Sequence, residues 1–280
     1  MKRIVTIQDI SCIGKCSLTV ALPIISAAGI ETAVLPTTIL STHTAFQNFT
    51  FRDLSSEIPL ISNHWKKEKI NFNMIYTGYL GSEKQIELVE NFIKQFRTKY
   101  NQILIDPAMA DNGKLYVGFN HKFVLKMKEL CSLGDVIVPN LTEACLLLGI
   151  EYKKYTLQEI KNILIQLQKI SKTVIITDIR IGNKIGIMSY DGKEFYSYFR
   201  KKINCKNHGS GDVFASSLVG SLCNDLNLKE SIKIAVDYTW ECIKETHKNH
   251  KEAYGLDFES KLPYYFNKLK KQKLKLQSNN

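Results

Sequence analysis

The residues with the most chemical potential for their spacing are His208-Gly209-Ser210-Gly211-Asp212, which run directly into the apolar stretch Val213-Phe214-Ala215-Ser216-Ser217-Leu218-Val219. Two glycines one residue apart predict a tight turn whose backbone amides point at one spot. A helix starting there adds the positive end of its dipole. A turn made of Gly209, Ser210 and Gly211 therefore suits an anion such as a phosphate. Asp212 then stands at the mouth of that anion site, where repulsion alone argues against a carboxylate. A base belongs there if it takes a proton from a hydroxyl that attacks the phosphate. Without that chemistry, the same residues read as a glycine turn with an aspartate in the first turn of a helix, and the pentapeptide alone does not decide.

Elements that would position such a site are legible in the hydrophobic pattern. Strand candidates are Arg3 to Gln8, Ala33 to Pro36, Met74 to Thr77, Ile103 to Ile105, Val136 to Val138 and Thr173 to Thr177. Between them, Cys16 to Ala28, Glu83 to Lys99, His121 to Leu133 and Leu157 to Ile170 carry apolar residues at helical spacing. Such alternation predicts an α/β fold, a mostly parallel sheet covered by helices on both faces. Near the end the rhythm changes. Lys184 to Tyr190 and Glu194 to Arg200 flank Asp191-Gly192, a hairpin signal, and two helices are expected after Asp212, from Val213 to Leu222 and Lys229 to Lys244.

Ligands of an open parallel sheet sit outside the carboxyl ends of its strands. That rule selects Asp9 to Ser11, Thr42-His43-Thr44, Gly78-Tyr79, Asp106 to Asp111, Asn140 to Glu143 and Thr177-Asp178. The set is rich in polar groups and converges on one rim. Each segment also has a plainer reading. Asn140 to Glu143 can be a helix cap before Ala144 to Leu148. Asp106 and Asp111 can belong to a proline-terminated strand and its turn, Thr177 can be an ordinary strand end, and His43 a satisfied structural histidine.

With 280 residues, 44% hydrophobic and 23% charged, the chain has ordinary globular composition and length enough for a full core. No apolar run reaches the length of a membrane span, and the start lacks a signal-peptide pattern, so a cytoplasmic protein is expected. The seven cysteines (12, 16, 131, 145, 205, 223 and 242) contain no Cys-x-x-Cys pair, which argues for free thiols. Cys12 and Cys16 could share a helix face, but no histidine nearby completes a metal site. The net charge of +11 could attract polyanions such as nucleic acid or ATP. It comes mostly from scattered lysines and from Lys268 to Lys275, read as a solvated, frayed tail. No nucleic-acid motif accompanies it, so no nucleic-acid or membrane partner is expected. One domain is expected over residues 1–260, with a basic C-terminal tail over 261–280.

Taken in order, these segments resemble the ribokinase-like superfamily and, within it, the pyridoxal (vitamin B6) kinases. The resemblance runs from residue 1 to about residue 245. It rests on Ile7-Gln8-Asp9, Ser41-Thr42-His43-Thr44, Thr77-Gly78-Tyr79-Leu80-Gly81-Ser82, Asp106-Pro107-Ala108-Met109, Pro139-Asn140-Leu141-Thr142-Glu143, Ile176-Thr177 and Gly209-Ser210-Gly211-Asp212. It implies a three-layer α/β/α fold with a small β flap. It also implies ATP-dependent phosphorylation of the 5′-hydroxymethyl group of a B6 vitamer. Gly209, Ser210 and Gly211 would form the anion hole and Asp212 the base. Asn140, Glu143, Asp106 and Thr177 would meet ATP, with Glu143, Asp106 and Asp111 near Mg²⁺, partly through water. Asp9, Ser11, His43, Thr44, Tyr79 and Asp212 would line the vitamer pocket, Tyr79 as a flat wall. The resemblance leaves a monovalent-cation requirement open and implies a homodimer.

The chain departs from the family pattern at three places. Asp9 stands where serine is usual, Ser210 where threonine is usual, and His208 is uncommon before the glycines. A carboxylate at Asp9 suits a protonated pyridine nitrogen or an amine-bearing vitamer. Hydroxymethylpyrimidine kinase is the neighbouring enzyme alternative. A sugar kinase fits less well, because the pocket is poor in Asp and Asn. A ligand-binding regulatory protein on an inactive kinase scaffold is the non-enzyme alternative, and the joint presence of Asp212, both glycines, Asn140 and Glu143 argues against it.

Overall fold

The apolar runs become strands because residues facing alternately up and down each find a hydrophobic layer. A computed structural model describes residues 1–205, 208–249 and 254–278. In chain order the first half contains β1 (Arg3–Ser11), α1 (Leu18–Ala27), β2 (Glu31–Leu40), β3 (Phe51–Asp53), α2 (Glu57–Lys67), β4 (Met74–Thr77), α3 (Glu83–Phe96) and β5 (Gln102–Ile105). A small hairpin follows, β6 (Ala110–Asp111) and β7 (Lys114–Leu115), then α4 (His121–Cys131), β8 (Val136–Ile137), α5 (Leu141–Leu148) and α6 (Leu157–Leu167). The last part holds β9 (Thr173–Ile181), β10 (Lys184–Tyr190), β11 (Phe195–Lys201), α7 (Ser210–Cys223), α8 (Leu228–Asn249) and α9 (Leu262–Ser278).

One sheet takes the order β11-β10-β9-β8-β5-β4-β1-β2-β3. Its members from β9 to β2 run parallel, whereas β3 and the β10–β11 hairpin add antiparallel edges. The separate β6–β7 hairpin forms the small antiparallel flap. Val5, Ile7, Ile75, Ile103, Ile105, Val174 and Ile176 point into the layer that contains α2 to α6. Ile4, Met74, Tyr76, Leu104, Val136 and Ile175 point into the layer of α1, α7, α8 and α9. This is the expected three-layer α/β/α arrangement. Period-two alternation is what a strand buried on both faces requires when both layers are apolar.

The C-terminal segment differs from the expectation of a frayed tail: residues 262–278 are helical. Tyr265 and Leu269, one turn apart, are buried in the core. The Tyr265 hydroxyl donates to the Ser217 carbonyl at 2.8 Å, in space that Gly220 leaves free on α7. Lysine content concealed this apolar stripe, and its function is to brace the helix that begins at the glycine turn. The pattern also gave no sign of α2 or β3. Cys12 and Cys16 share no helix, since Cys12 follows β1 and Cys16 lies in the bend before α1; none of the seven cysteines is in a disulfide. Among the described residues, no helix is long and apolar enough to cross a membrane.

Candidate active site

The glycine turn is built by backbone conformation. Gly209 caps α7 in the left-handed region, at φ 73°, where a side chain is strained. A Cβ there would lie 2.1 Å from the Lys15 carbonyl oxygen, so the turn is also pressed against the loop that follows β1. That loop is held in turn: Lys15 N–H donates to Tyr254 O at 2.7 Å, and its ammonium pairs with Asp257 and Glu259 at 2.7 and 2.8 Å. Gly211, by contrast, is exposed, and a Cβ on it would meet nothing within 4 Å. At Gly211 the first turn of a fourteen-residue helix thus borders open space among the described residues.

Asp212 lies in the first turn of α7, and its carboxylate accepts the backbone N–H of Ser17. Burial, opposed by that hydrogen bond and reinforced by the charge of Asp9, pushes its pKa up to about 7. Asp9 is buried near the end of β1, accepting from Ser11 Oγ at 3.2 Å and from Ser17, and burial raises its pKa as well. Two carboxylates on neighbouring elements therefore repel each other, and among the described residues no side-chain cation pairs with either. Cys16 stands beside both, and burial followed by the charges of Asp212 and Asp9 pushes its thiol up to about 12. Tyr79 is half-buried, and burial and the nearby charge of Asp9 raise its hydroxyl to about 12. Its ring stacks on Phe119 at 5.7 Å and lies 6.5 Å from Tyr116, which extends the flat wall.

Next to this pair, the N-terminus of α5 carries a reciprocal cap. Asn140 Oδ1 accepts from Glu143 N at 3.0 Å, and Glu143 Oε2 accepts from Asn140 N at 2.8 Å. Glu143 Oε1 also accepts from Met109 N at 3.0 Å and Ala110 N at 3.4 Å, and Asn140 Nδ2 donates to Ala110 O at 2.7 Å. The cap therefore fastens the root of the flap to α5. Burial pushes the Glu143 pKa up to about 8 despite these donors. Asp106, at the end of β5, is buried; its backbone N–H donates to Thr77 O at 3.0 Å, but its carboxylate has no hydrogen-bond or ion-pair partner among the described residues. Burial, Glu143 and Asp212 hold its pKa well above the usual carboxylate range. An uncompensated buried carboxylate beside a second one is the donor chemistry that a hard divalent cation requires.

The other residues selected from sequence are more peripheral. Asp111 is exposed, and its two oxygens accept from Asn112 N at 2.7 Å and Asn112 Nδ2 at 2.8 Å, though its charge reaches Glu143. Thr177 is bridged to Asn140 across the rim. His43 is buried; its Nδ1 accepts from Ala45 N at 3.3 Å and its ring packs on Phe46, on His208 at 5.5 Å, and against Gly14. Thr44 is exposed. Ser17, Phe119 and Tyr116 were not legible as site residues. Ser17 alone left a signal, a hydroxyl residue directly before an apolar helix.

The cap supports a stability prediction. Glu143→Gln replaces an acceptor of three backbone amides by an amide that must turn a donor toward them. A loss of about 1–3 kcal/mol is expected, with faster hydrogen exchange at Met109 and Ala110. Unchanged melting and exchange would mean that the flap root is held by other contacts.

Comparison with known proteins identifies the family and the fold. The family model described as phosphomethylpyrimidine kinase matches residues 37–257. A hydroxymethylpyrimidine/phosphomethylpyrimidine kinase of Aquifex aeolicus is 30% identical over 185 residues, 65% of this chain and 71% of that protein. A Bacteroides thetaiotaomicron protein, provisionally called a phosphomethylpyrimidine kinase and crystallised with pyridoxal, is 35% identical. It superposes with a TM-score of 0.90 over 95% of this chain and 96% of its own. Pyridoxal kinase from Lactobacillus plantarum is 28% identical with a TM-score of 0.89, covering 95% of this chain and 97% of its own.

Proposed function

We propose that this chain, which belongs to the phosphomethylpyrimidine kinase family and is thereby a phosphotransferase acting on an alcohol group, transfers the γ-phosphoryl group of ATP to the 5′-hydroxymethyl group of a vitamin B6 vitamer. The observation that carries this reading is the pairing of Asp212 with a free helix N-terminus. A base whose pKa is about 7 stands where the acceptor hydroxyl would meet the phosphoryl group. Such a group is ionised often enough near neutrality to accept a proton and is still basic enough to hold it. The amides of Gly209, Ser210 and Gly211 stabilise the charge on the transferring group, and the α7 dipole adds to them. Asp212 orients the hydroxyl and takes its proton late, since phosphoryl transfer is loose.

Asp106, whose carboxylate is unpaired, and Glu143, whose oxygens already accept backbone amides, are the residues that would hold a Mg²⁺ ion. Bound there, the ion would neutralise phosphate charge. Asp9 and the Tyr79 wall form the acceptor side, with Ser11 holding Asp9. A pyridine ring stacks on Tyr79 and presents its nitrogen or amine to Asp9. A hydroxymethylpyrimidine substrate is the second reading, favoured by the 30% identity to the Aquifex aeolicus kinase. An ADP-release assay with pyridoxal, pyridoxine, pyridoxamine and hydroxymethylpyrimidine separates the two. Turnover with the pyrimidine alone would replace the B6 reading.

Asp9 gives a finer prediction. A buried carboxylate gains most from a cationic partner, so Asp9→Ser is expected to raise the KM for pyridoxamine more than that for pyridoxal. Equal changes for both would remove Asp9 from vitamer selection.

A further inference from the structure

The rim as described is strongly acidic: Asp9, Asp106, Asp111, Glu143, Asp178 and Asp212 all belong to it. A nucleotide brings further negative charge to this place, and the helix dipole and a divalent cation neutralise only part of it. Arg180 is a side-chain cation bonded into that rim. Its guanidinium forks onto Asp178, with Nε to Oδ1 at 3.0 Å and NH2 to Oδ2 at 2.8 Å, and NH2 also donates to Asn112 Oδ1 at 3.3 Å. Arg180 therefore spans from β9 to the turn of the β6–β7 flap, next to Asp111.

The backbone around it is irregular. Asp178 has φ 55°, a left-handed conformation uncommon for a non-glycine residue. Pairing of β9 with β10 shifts register at the same place, since Ile179 faces Gly186 while Ile176 faces Met188. Such bulges re-aim side chains beside functional sites. This one follows Thr177, the residue bridged to Asn140. The Arg180–Asp178 pair is also partly solvated, with side-chain exposures of 45% and 25%. Solvent reaches both partners and screens the pair, so the fork can pass to a more highly charged anion whose contacts exceed those it gives up.

We propose that Arg180 is a nucleotide-binding residue: its guanidinium leaves Asp178 and Asn112 to form a bidentate contact with the terminal phosphates of the bound nucleotide. The planar fork matches phosphate as it matches carboxylate, and an ammonium does not reproduce it. The inference rests on the kinase reading above and adds to it a side-chain cation at the acidic rim.

The test is calorimetric titration of the full chain with ADP and with AMP, each with Mg²⁺, alongside pyridoxal turnover. In Arg180→Gln, ADP affinity is expected to fall about tenfold or more, with AMP affinity unchanged, and Arg180→Lys should recover part of the loss. Asn112→Ala, which removes the flap contact and keeps the guanidinium, should bind ADP as the wild type does. Equal ADP affinity in Arg180→Gln and wild type would overturn the proposal while leaving the kinase reading intact. A loss in Asn112→Ala as large as in Arg180→Gln would also overturn it, by making Arg180 only a flap latch. Wild-type protein that neither binds ADP nor turns over would overturn both.

Discussion

Asp212→Asn is expected to lower kcat for the preferred acceptor roughly 10²–10⁴-fold, the usual worth of a positioned general base. ATP binding should stay nearly intact or tighten, because a negative charge beside the phosphates is removed. The pH dependence should change with it. In the wild type, kcat/KM is expected to fall as pH drops below about 7, where burial has placed the Asp212 pKa. The variant should lose that limb.

Stability should move the other way. A folded pKa of about 7 against 3.8 for an unperturbed carboxyl means that the native state binds this proton more tightly than the unfolded state. Between those values, stability of the ligand-free protein falls as pH rises. Asp212→Asn should therefore melt no lower than wild type at pH above about 7, and the gap should close toward pH 4. A role as a helix cap alone predicts near-normal turnover and a stability change of about 1 kcal/mol or less, since asparagine caps as well. Turnover, ATP affinity and melting temperature of one variant decide between them. Folded protein turning over within a few-fold of wild type would exclude Asp212 as the base.

The second large effect is expected at Gly209. In Gly209→Ala, the new Cβ falls 2.1 Å from the Lys15 carbonyl oxygen, at a φ of 73° that costs an alanine about 1–2 kcal/mol by itself. The obstacle is backbone, held through Tyr254 and through the Lys15 ion pairs, so it cannot rotate away. Either the first turn of α7 or the loop to Ser17 must shift. Ser17 is the amide that orients Asp212, so anion hole and base move together. A loss in kcat of about 10²-fold is expected, since misplacements near 1 Å cost that much, together with a lower melting temperature. Gly211→Ala is the control, because its Cβ meets open space. It should keep the wild-type melting temperature and raise the KM for ATP if phosphate occupies that space. Wild-type turnover in Gly209→Ala would remove the steric argument for the turn.

Much of this site could be read from residue order because its parts lie at strand ends, and strand ends are where apolar runs stop. Asp9, Tyr79, Asp106, Asn140 and Thr177 each lie at or just past the end of such a run, and the pattern of runs pointed them to one rim. The glycine turn was equally legible, since Gly209 is required by a local backbone conformation. What could not be read was long-range. Nothing near Glu143 in sequence says that its second oxygen holds Met109 and Ala110, 34 and 33 residues away. Nothing near Asp212 says that Ser17 donates to it. The raised pKa values of Asp212 and Glu143 arise from burial, which only packing creates. The C-terminal helix is the clearest case. Its lysines suggested a solvated tail, and only the groove left by Gly220 and the waiting carbonyl of Ser217 explain why Tyr265 folds inward. Local conformation and strand periodicity were written in the chain, whereas charge burial and the bracing of the site were decided by the tertiary structure, because both depend on which distant groups exclude water together.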